Sequence, residues 1–400
     1  MGGKGIKTYI KKHIPIGEGI DKVSLSKYHG KTIALDFTNF LYKFLMKVNY
    51  LLEFINIIHK FSKYGIKIIF IFDGKPIVEK QKTINKRKNI RDMAKIQYNE
   101  LSERIDREGF INEDGYGNAD VDVDVDVDVD VDVDVDENEN ENENEYREDS
   151  IITEESKEII EARNKKLLKL HKKSVSINCD HIKKCKELFD LMGIEWYHID
   201  FVEADMIFKY LFDIGKIYAC YSADMDILLY KCPILLQDLD FNSNKIYEFK
   251  YNEIIKYLKL TDNQLLNACI ASGTDYNYPL KKCKIEDNIE LIRKYNTIEN
   301  IINNLETINL YRDHKIEVPI DFNYEFTIKI YRSYIPTKAQ LEINNKMIFY
   351  RKNLYGNSAS VKANIVYNLK IIIKKYLLTE PIKFEFKIHE FCEYRYGFAF

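Results

Sequence analysis

The sequence predicts an α/β fold with a mostly parallel sheet flanked by helices, and three observations carry that reading. Short, nearly all-apolar runs recur at 33–36, 66–72, 217–221 and 234–237. Segments with helical spacing of apolar residues alternate with them. Aspartates stand at the ends of several runs. A run without a polar face is buried on both sides, as a parallel strand is when helices cover the sheet above and below.

In chain order, residues 33–36 read as the first buried strand, followed by one long amphipathic helix over about 39–61. Residues 66–72 form the next strand, which ends in Asp73-Gly74-Lys75-Pro76. A helix over 204–212 precedes a strand at 217–221, which runs into Ser222-Ala223-Asp224-Met225-Asp226. Another strand follows at 234–237. Residues 306–400, rich in Tyr, Ile and Lys, read as a helical extension packed on the core, with a short hairpin. They carry no assigned chemistry.

Composition narrows the class. The chain has 400 residues, 46% of them hydrophobic and 13% aromatic, so it can bury a core. No run approaches the roughly 18 apolar residues of a membrane span. The lysine-rich N-terminus lacks the apolar stretch of a secretory signal, and Ile6 stands where a myristoylation start needs Ser or Thr. A soluble intracellular protein is expected. The seven cysteines are odd in number and contain no CxxC pair, which favours a reducing compartment over a disulfide framework. Cys179, His181 and Cys185 would sit on one helix with Cys179 and His181 on nearly opposite faces, a poor zinc arrangement.

The net charge of −3 conceals a strong asymmetry. Residues 108–149 hold 19 acidic side chains and one basic one, Arg147. Nine aspartates alternate with valine, and then five glutamates alternate with asparagine. Without that segment the chain has 59 basic and 44 acidic residues, a net +15. Valine alternation alone would suit a strand, but an all-aspartate face repels itself along a ladder, so the segment reads as a solvated, disordered insertion. The basic remainder suggests a polyanionic partner. Two basic arms flank the insertion: seven Lys or Arg over 79–95, with Lys80, Arg87 and Arg91 on one helical stripe, and six over 163–173. By competing for the basic arms, the insertion would weaken non-specific binding. Deleting 108–149 is expected to tighten duplex binding at low salt, and unchanged affinity would mark the segment as inert.

The acidic residues that remain fall at informative places. Asp36, Asp73, Asp224 and Asp226 end strands, Glu203 and Asp205 precede a helix, and Asp275 lies in Gly273-Thr274-Asp275-Tyr276. Strand C-termini line one edge of an open α/β sheet, where ligands bind. The two pairs spaced by two, 203/205 and 224/226, would each point to one side of an extended segment. Two carboxylates about 4 Å apart repel by roughly 4 kcal/mol at an effective dielectric near 20, so some must be protonated or cations must sit among them. Oxygen donors without nearby His or Cys favour Mg²⁺ or Mn²⁺. Two such ions about 4 Å apart would activate a water and stabilise the leaving oxygen of a phosphodiester. No GxxxxGK, GxSxG or HExxH pattern supports ATP-driven, serine-hydrolase or zinc-protease chemistry.

At these residues the chain resembles the flap endonuclease family, the structure-specific nucleases that include the xeroderma group G repair nuclease. The motifs come in order: Met1-Gly2 with Gly5-Ile6 and His13-Ile14-Pro15, Ile33-Ala34-Leu35-Asp36 with Tyr42, and Phe72-Asp73-Gly74-Lys75-Pro76 with Lys80 and Arg87. Leu191-Met192-Gly193-Ile194, Val202-Glu203-Ala204-Asp205, Ser222–Asp226 and Gly273–Tyr276 complete the set. The resemblance spans about residues 1–305. It implies a PIN-like nuclease core with a helical arch and a helix–two-turn–helix DNA-binding region. It also implies hydrolysis with two Mg²⁺, or Mn²⁺ in their place, near the 5′ end of branched, flapped or nicked DNA in replication or repair. On that resemblance Asp36, Asp73, Glu203, Asp205, Asp224, Asp226 and Asp275 hold the ions, Lys80 and Arg87 contact the scissile phosphate, and Tyr42 stacks on a base beside the cut. Arg91, on the same basic stripe, is a further expected DNA contact. The implied segments are 1–107 (core and first arch arm), 108–149 (acidic insertion), 150–275 (second arm and rest of the core) and 276–400 (helix–two-turn–helix-like region and helical extension). A 5′→3′ exonuclease on DNA or RNA, or a weakly catalytic DNA-binding relative, stands as the alternative.

Three departures from the family pattern bear on function. Asp205 stands where the family has a second glutamate. The glycine-rich turn after Gly273–Tyr276 is here Lys281-Lys282-Cys283-Lys284, without the glycines of the family's monovalent-ion site but with three lysines for phosphates. Gln340-Leu341-Glu342-Ile343 begins like a sliding-clamp peptide, yet Lys346 and Met347 occupy its aromatic positions, so no clamp partner is expected. A monomer in the nucleus, or at a cytoplasmic site of DNA replication, completes the expectation.

Overall fold

The computed structural model describes residues 5–47, 49–111, 154–333 and 335–354. Met1 and Gly2, nearly all of the acidic insertion, Cys392 and residues 355–400 of the expected C-terminal extension lie outside the described residues. The described parts of Met1–Thr83 and Ile177–Phe400 form one compact unit, and those of Ile84–Ser176 a second.

The first unit opens with α1 (Ile6–His13), β1 (Ile20–Ser24), β2 (Thr32–Asp36), α2 (Phe37–Phe44), α3 (Tyr50–Lys63) and β3 (Lys67–Phe72). A 3₁₀ turn, Val78–Lys80, leads into α4 (Gln81–Ile111), and the second unit holds most of α4 together with α5 (Glu154–Ser174). Within that unit the rings of Tyr98 and His171 stand 5.2 Å apart. The chain returns to the first unit through α6 (Cys179–Leu191), β4 (Glu195–His198), α7 (Ala204–Asp213), β5 (Ala219–Tyr221), α8 (Asp226–Leu229), β6 (Ile234–Asp240), β7 (Lys245–Lys250) and α9 (Tyr251–Leu258). The helices α10 (Asp262–Ser272), α11 (Ile285–Tyr295), α12 (Ile298–Asn303), α13 (Leu305–Leu310), α14 (Tyr324–Arg332) and α15 (Thr337–Leu354) follow.

The seven strands form one sheet in the order β1-β7-β6-β5-β2-β3-β4. The contacts β6–β5, β5–β2, β2–β3 and β3–β4 are parallel, while β1–β7 and β6–β7 are antiparallel. The α/β class with a mostly parallel sheet is therefore what the apolar runs predicted. Alternation along the strands feeds two cores. Ile33, Leu35, Ile68, Phe70 and Phe72 pack with α2, α3 and α6, where the rings of Phe70 and Phe189 stack 4.2 Å apart. Ala34, Ile69 and Ile71 face the other way, onto α7 and the helices that follow.

Two sequence expectations need correction. The helix expected over 39–61 is broken between Phe44 and Tyr50. Leu45 and Lys47 close α2 with backbone bonds to Leu41 and Phe44, and the Asn49 side chain caps α3 by accepting from the Leu52 amide at 3.2 Å. The apolar periodicity carries through both helices and so hides the break. The strands β1, β4 and β7 escaped notice because polar residues interrupt them. Two of these residues are buried carboxylates with partners: Glu195 takes Lys216 at 2.9 Å, and Glu248 accepts from Tyr28 at 2.5 Å and from Lys27 at 2.6 Å. Pairing makes such burial tolerable.

Candidate active site

The carboxyl ends of the parallel strands gather the acids. Asp36 is the last residue of β2, and its side chain caps α2 by accepting from the Asn39 amide at 3.1 Å. Its other oxygen accepts from the Ser222 hydroxyl at 2.7 Å. Asp73 follows β3 directly and accepts from the Ala204 amide at 3.2 Å, so it caps α7, the helix that carries Asp205.

Gly74 makes that junction possible. Its amide donates to Val202 O at 3.0 Å and the Lys75 amide donates to Asp200 O at 2.6 Å. A Cβ at position 74 would overlap the carbonyl oxygens of Ile199 and Val202, the backbone that delivers Glu203. Gly74→Ala is therefore expected to lower stability by about 3 kcal/mol, the cost of forcing a group into a filled space, as measured by denaturant unfolding.

Glu203 keeps extended backbone just ahead of α7, while Asp205 lies in its first turn. The expectation that Asp224 and Asp226 project from one extended segment is not met. Met225 is helical and Asp226 opens α8, and the pair is held by a turn in which the Asp226 amide donates to Asp224 Oδ1 at 2.9 Å. Asp275 sits in the turn after α10, where its carbonyl accepts from Thr83 Oγ1 at 3.0 Å.

These seven groups form one electrostatic network. Asp36 interacts with Asp73 and Asp224; Asp205 with Asp224, Asp73 and Glu203; and Asp226 with Asp224 and Asp275. Burial, followed by the charge of Asp73, pushes the Asp36 carboxyl up to about 7, despite the bonds from Ser222 and Asn39. Burial, then Asp224, raises Asp205 and Asp226 well above the ordinary carboxylate range. Among the described residues, Lys80 brings a cation into the network. Lys80, at the end of the 3₁₀ turn, places Nζ 2.9 Å from Glu203 Oε2 and 3.5 Å from Asp275 Oδ2. Burial alone would lower its pKa, but Glu203, Asp275 and Asp205 outweigh that and hold it charged.

Three tyrosines support the acids from behind. Tyr276 donates to Glu203 Oε2 at 2.5 Å, Tyr331 donates to Asp226 Oδ2 at 2.6 Å, and the hydroxyls of Tyr230 and Tyr276 stand 3.4 Å apart.

Among the described residues, no group of three or more His, Cys, Asp or Glu side chains could hold an ion as it now stands. Protein partners take up several oxygens, as Lys80 and Tyr276 do at Glu203. The donor set nevertheless fits a hard divalent cation. All seven groups offer only oxygen, and Glu203 Oε1 and Asp226 Oδ1 are buried without a hydrogen-bond partner. Buried carboxylate oxygens in that state call for a cation or a proton. The network that the sequence placed at 36, 73, 203, 205, 224, 226 and 275 thus has the donor chemistry of a divalent-metal site.

The remaining expected site residues are placed as follows. Tyr42 lies 37% exposed on α2 while its neighbours Phe40 and Phe44 are buried, so its ring is accessible. Lys80 falls in the 3₁₀ turn rather than on a continuous helical stripe with Arg87 and Arg91, which lie on α4 in the second unit. The lysine turn between α10 and α11 pairs with the segment ahead of α14. Glu317 binds Lys282 at 2.7 Å and Lys281 at 3.7 Å, and backbone bonds join Lys281 to Glu317. Lys282 adopts φ +59°, a left-handed backbone that suits the glycine expected in such a turn. Lys284 leads α11, and its amide donates to Asp287 at 3.0 Å. Sequence reasoning assigned no role to Ser222, Gly74, Tyr230, Tyr276 or Tyr331. Ser222, Gly74 and Tyr276 adjoin the assigned acids, whereas Tyr331 comes from a helix that nothing in the sequence linked to the site.

Comparison with known proteins agrees with this geometry. Residues 1–94 match the XPG N-terminal domain and residues 194–275 the XPG I-region, so the two segments together contain all seven acids. Flap endonuclease 1 of Aedes aegypti is 25% identical over 343 residues, covering 81% of this chain and 73% of that protein. The Branchiostoma floridae flap endonuclease 1 is 32% identical over 179 residues, covering 44% and 45%. Among solved structures, the Holliday junction-resolving enzyme GEN1 in complex with product DNA and Mg²⁺ matches with a TM-score of 0.56 at 13% identity, covering 98% of this chain and 77% of that one. The catalytic core of Rad2 in complex with DNA substrate matches at 0.53 with 16% identity, covering 96% and 98%. Ordered motifs, the sheet that carries them and the two matched segments lead to one conclusion: the chain carries an XPG N-terminal domain and an XPG I-region and is similar to the flap endonucleases along most of its length.

Proposed function

We propose that this protein is a divalent-metal-dependent, structure-specific 5′ nuclease that hydrolyses phosphodiesters in branched, flapped or nicked DNA. The observation that carries the reading is a network of seven interacting carboxylates at the carboxyl ends of the parallel strands, with Lys80 beside Glu203, Asp275 and Asp205. Homology to flap endonucleases supplies the substrate class.

In this proposal Asp36, Asp73, Glu203, Asp205, Asp224, Asp226 and Asp275 hold two Mg²⁺, which Mn²⁺ can replace. Bound divalent ions would supply an activated water and neutralise charge on the departing oxygen. The chain's own groups do the rest. Lys80 holds its ammonium beside Glu203 and Asp275, where it can meet a phosphate whose negative charge grows during reaction. Ser222 and the Asn39 amide orient Asp36, and the Ala204 amide orients Asp73. Arg87 and Arg91 on α4, with the basic part of α5, are assigned to a helical arch over the DNA. Tyr42 is assigned to base stacking. Lys281, Lys282 and Lys284 are assigned to duplex phosphates, which would exchange for the exposed carboxylate of Glu317 at the first two. The shorter Asp205 is expected to retain metal binding with a water completing its reach. No helix among the described residues is long and apolar enough to cross a membrane. Action as a monomer without a sliding clamp, in a compartment where DNA is replicated, belongs to the same proposal.

The test is cleavage of a labelled 5′-flap duplex, a nicked duplex and single-stranded RNA with Mg²⁺ or with chelator. Cutting at the flap or nick that needs Mg²⁺ supports the reading. Preferential degradation of RNA, or binding without cutting, would replace it.

A further inference from the structure

We propose that Tyr331 is a positioning residue for the carboxylate cluster, through which a C-terminal helix beyond the segments matched to the family domains tunes metal affinity. The inference rests on the metal-dependent reading above and adds a residue to it.

The structure points to Tyr331 by geometry. Its side chain is buried on α14, and the hydroxyl donates to Asp226 Oδ2 at 2.6 Å across 105 positions of sequence. Asp226 Oδ1 is buried and without a hydrogen-bond partner. One oxygen is thus clamped and the other left for a cation. Glu203 repeats the pattern: Oε2 is taken by Tyr276 and Lys80, while Oε1 is buried and unpartnered. The aromatic rings hold one another in place. Tyr331 meets Tyr230 at 5.0 Å with planes 60° apart, and Tyr276 at 5.6 Å with planes 74° apart. A phenol fixed by two ring contacts has little freedom left, so the carboxylate that it binds is held in one rotamer before any ion arrives.

The consequence follows from how ligands outside the first coordination sphere work. A carboxylate that enters a site already oriented loses less freedom on binding, and partners of metal-bound carboxylates typically set affinity by 10- to 100-fold. Tyr331→Phe keeps the ring and its packing and removes only the donor. Asp226 would then be buried with neither oxygen bonded and free to turn away from the ion.

Calorimetric titration of Mn²⁺ into the DNA-free, full-length protein is the primary measurement. Tyr331→Phe should weaken binding about 10-fold or more. Tyr324→Phe, on the same helix but outside the cluster, should leave it unchanged. DNA affinity without metal should be the same in all three proteins. The Mg²⁺ concentration for half-maximal cleavage should rise in Tyr331→Phe, with the rate at saturating Mg²⁺ recovering most of the wild-type value. Equal Mn²⁺ affinity in wild type and Tyr331→Phe would overturn the inference. So would a loss of cleavage that no Mg²⁺ concentration restores, alongside unchanged Mn²⁺ binding. A wild type that binds Mn²⁺ tightly but cuts no DNA would instead overturn the nuclease reading, leaving the metal comparison intact.

Discussion

Asp224→Ala should reduce Mg²⁺-dependent flap cleavage by about a thousandfold or more and yet cost the folded protein little stability. The two effects share one cause. Asp224 interacts with Asp36, Asp205 and Asp226, three of the other six acids in the network. In the metal-free protein these are repulsions between neighbouring carboxylates, and removing one of the charges relieves them, which offsets the lost bond from the Asp226 amide. In the working enzyme the same carboxylate helps to hold the ions that carry the chemistry, and loss of charge stabilisation at the reacting phosphate costs orders of magnitude in rate. Thermal unfolding in chelator and cleavage of a labelled flap in Mg²⁺ check the two halves separately. Cleavage that survives in a folded Asp224→Ala protein would show that the acids have been given the wrong roles.

Lys80→Ala should act on stability with the opposite sign. Lys80 is the cation that bridges Glu203 and Asp275, at 2.9 and 3.5 Å, and it is largely buried beside the ring of Tyr276. Removing one partner of a buried ion pair leaves the other charge uncompensated, at a cost of roughly 3 kcal/mol. A divalent ion can take over that compensation. The loss should therefore be large in chelator and smaller in millimolar Ca²⁺, read as the difference in unfolding midpoint between the two buffers. Cleavage should fall about a hundredfold even with saturating Mg²⁺, because the ammonium would also meet the reacting phosphate. Equal stability losses in chelator and Ca²⁺ would indicate that Lys80 and the ions do not share the same carboxylates.

Much of this arrangement is readable without coordinates, for physical reasons. A strand buried on both faces must be apolar, so β2, β3, β5 and β6 stand out, and an acid at the end of such a strand is conspicuous. That placed Asp36, Asp73, Asp224 and Asp226 at one edge. Strands that carry compensated polar residues do not stand out. Glu195 in β4 and Glu248 in β7 look like surface residues until Lys216, Tyr28 and Lys27 are seen against them. The break between α2 and α3 was hidden because the apolar period resumes in phase and the signal that remains is a single capping side chain, Asn49. The backbone at 224–226 was misjudged because a spacing of two does not distinguish an extended segment from a capped turn. Tyr331 could not have been found, since its link to Asp226 depends on how α14 packs and leaves no local mark.

The most direct test of the account is a count of divalent ions bound to the folded, DNA-free protein by titration with Mn²⁺. The cluster should take up about two equivalents per chain, released by chelator and lost or halved in Asp224→Ala. No saturable uptake at millimolar Mn²⁺ by a folded chain would contradict the claim that these seven carboxylates form a metal centre.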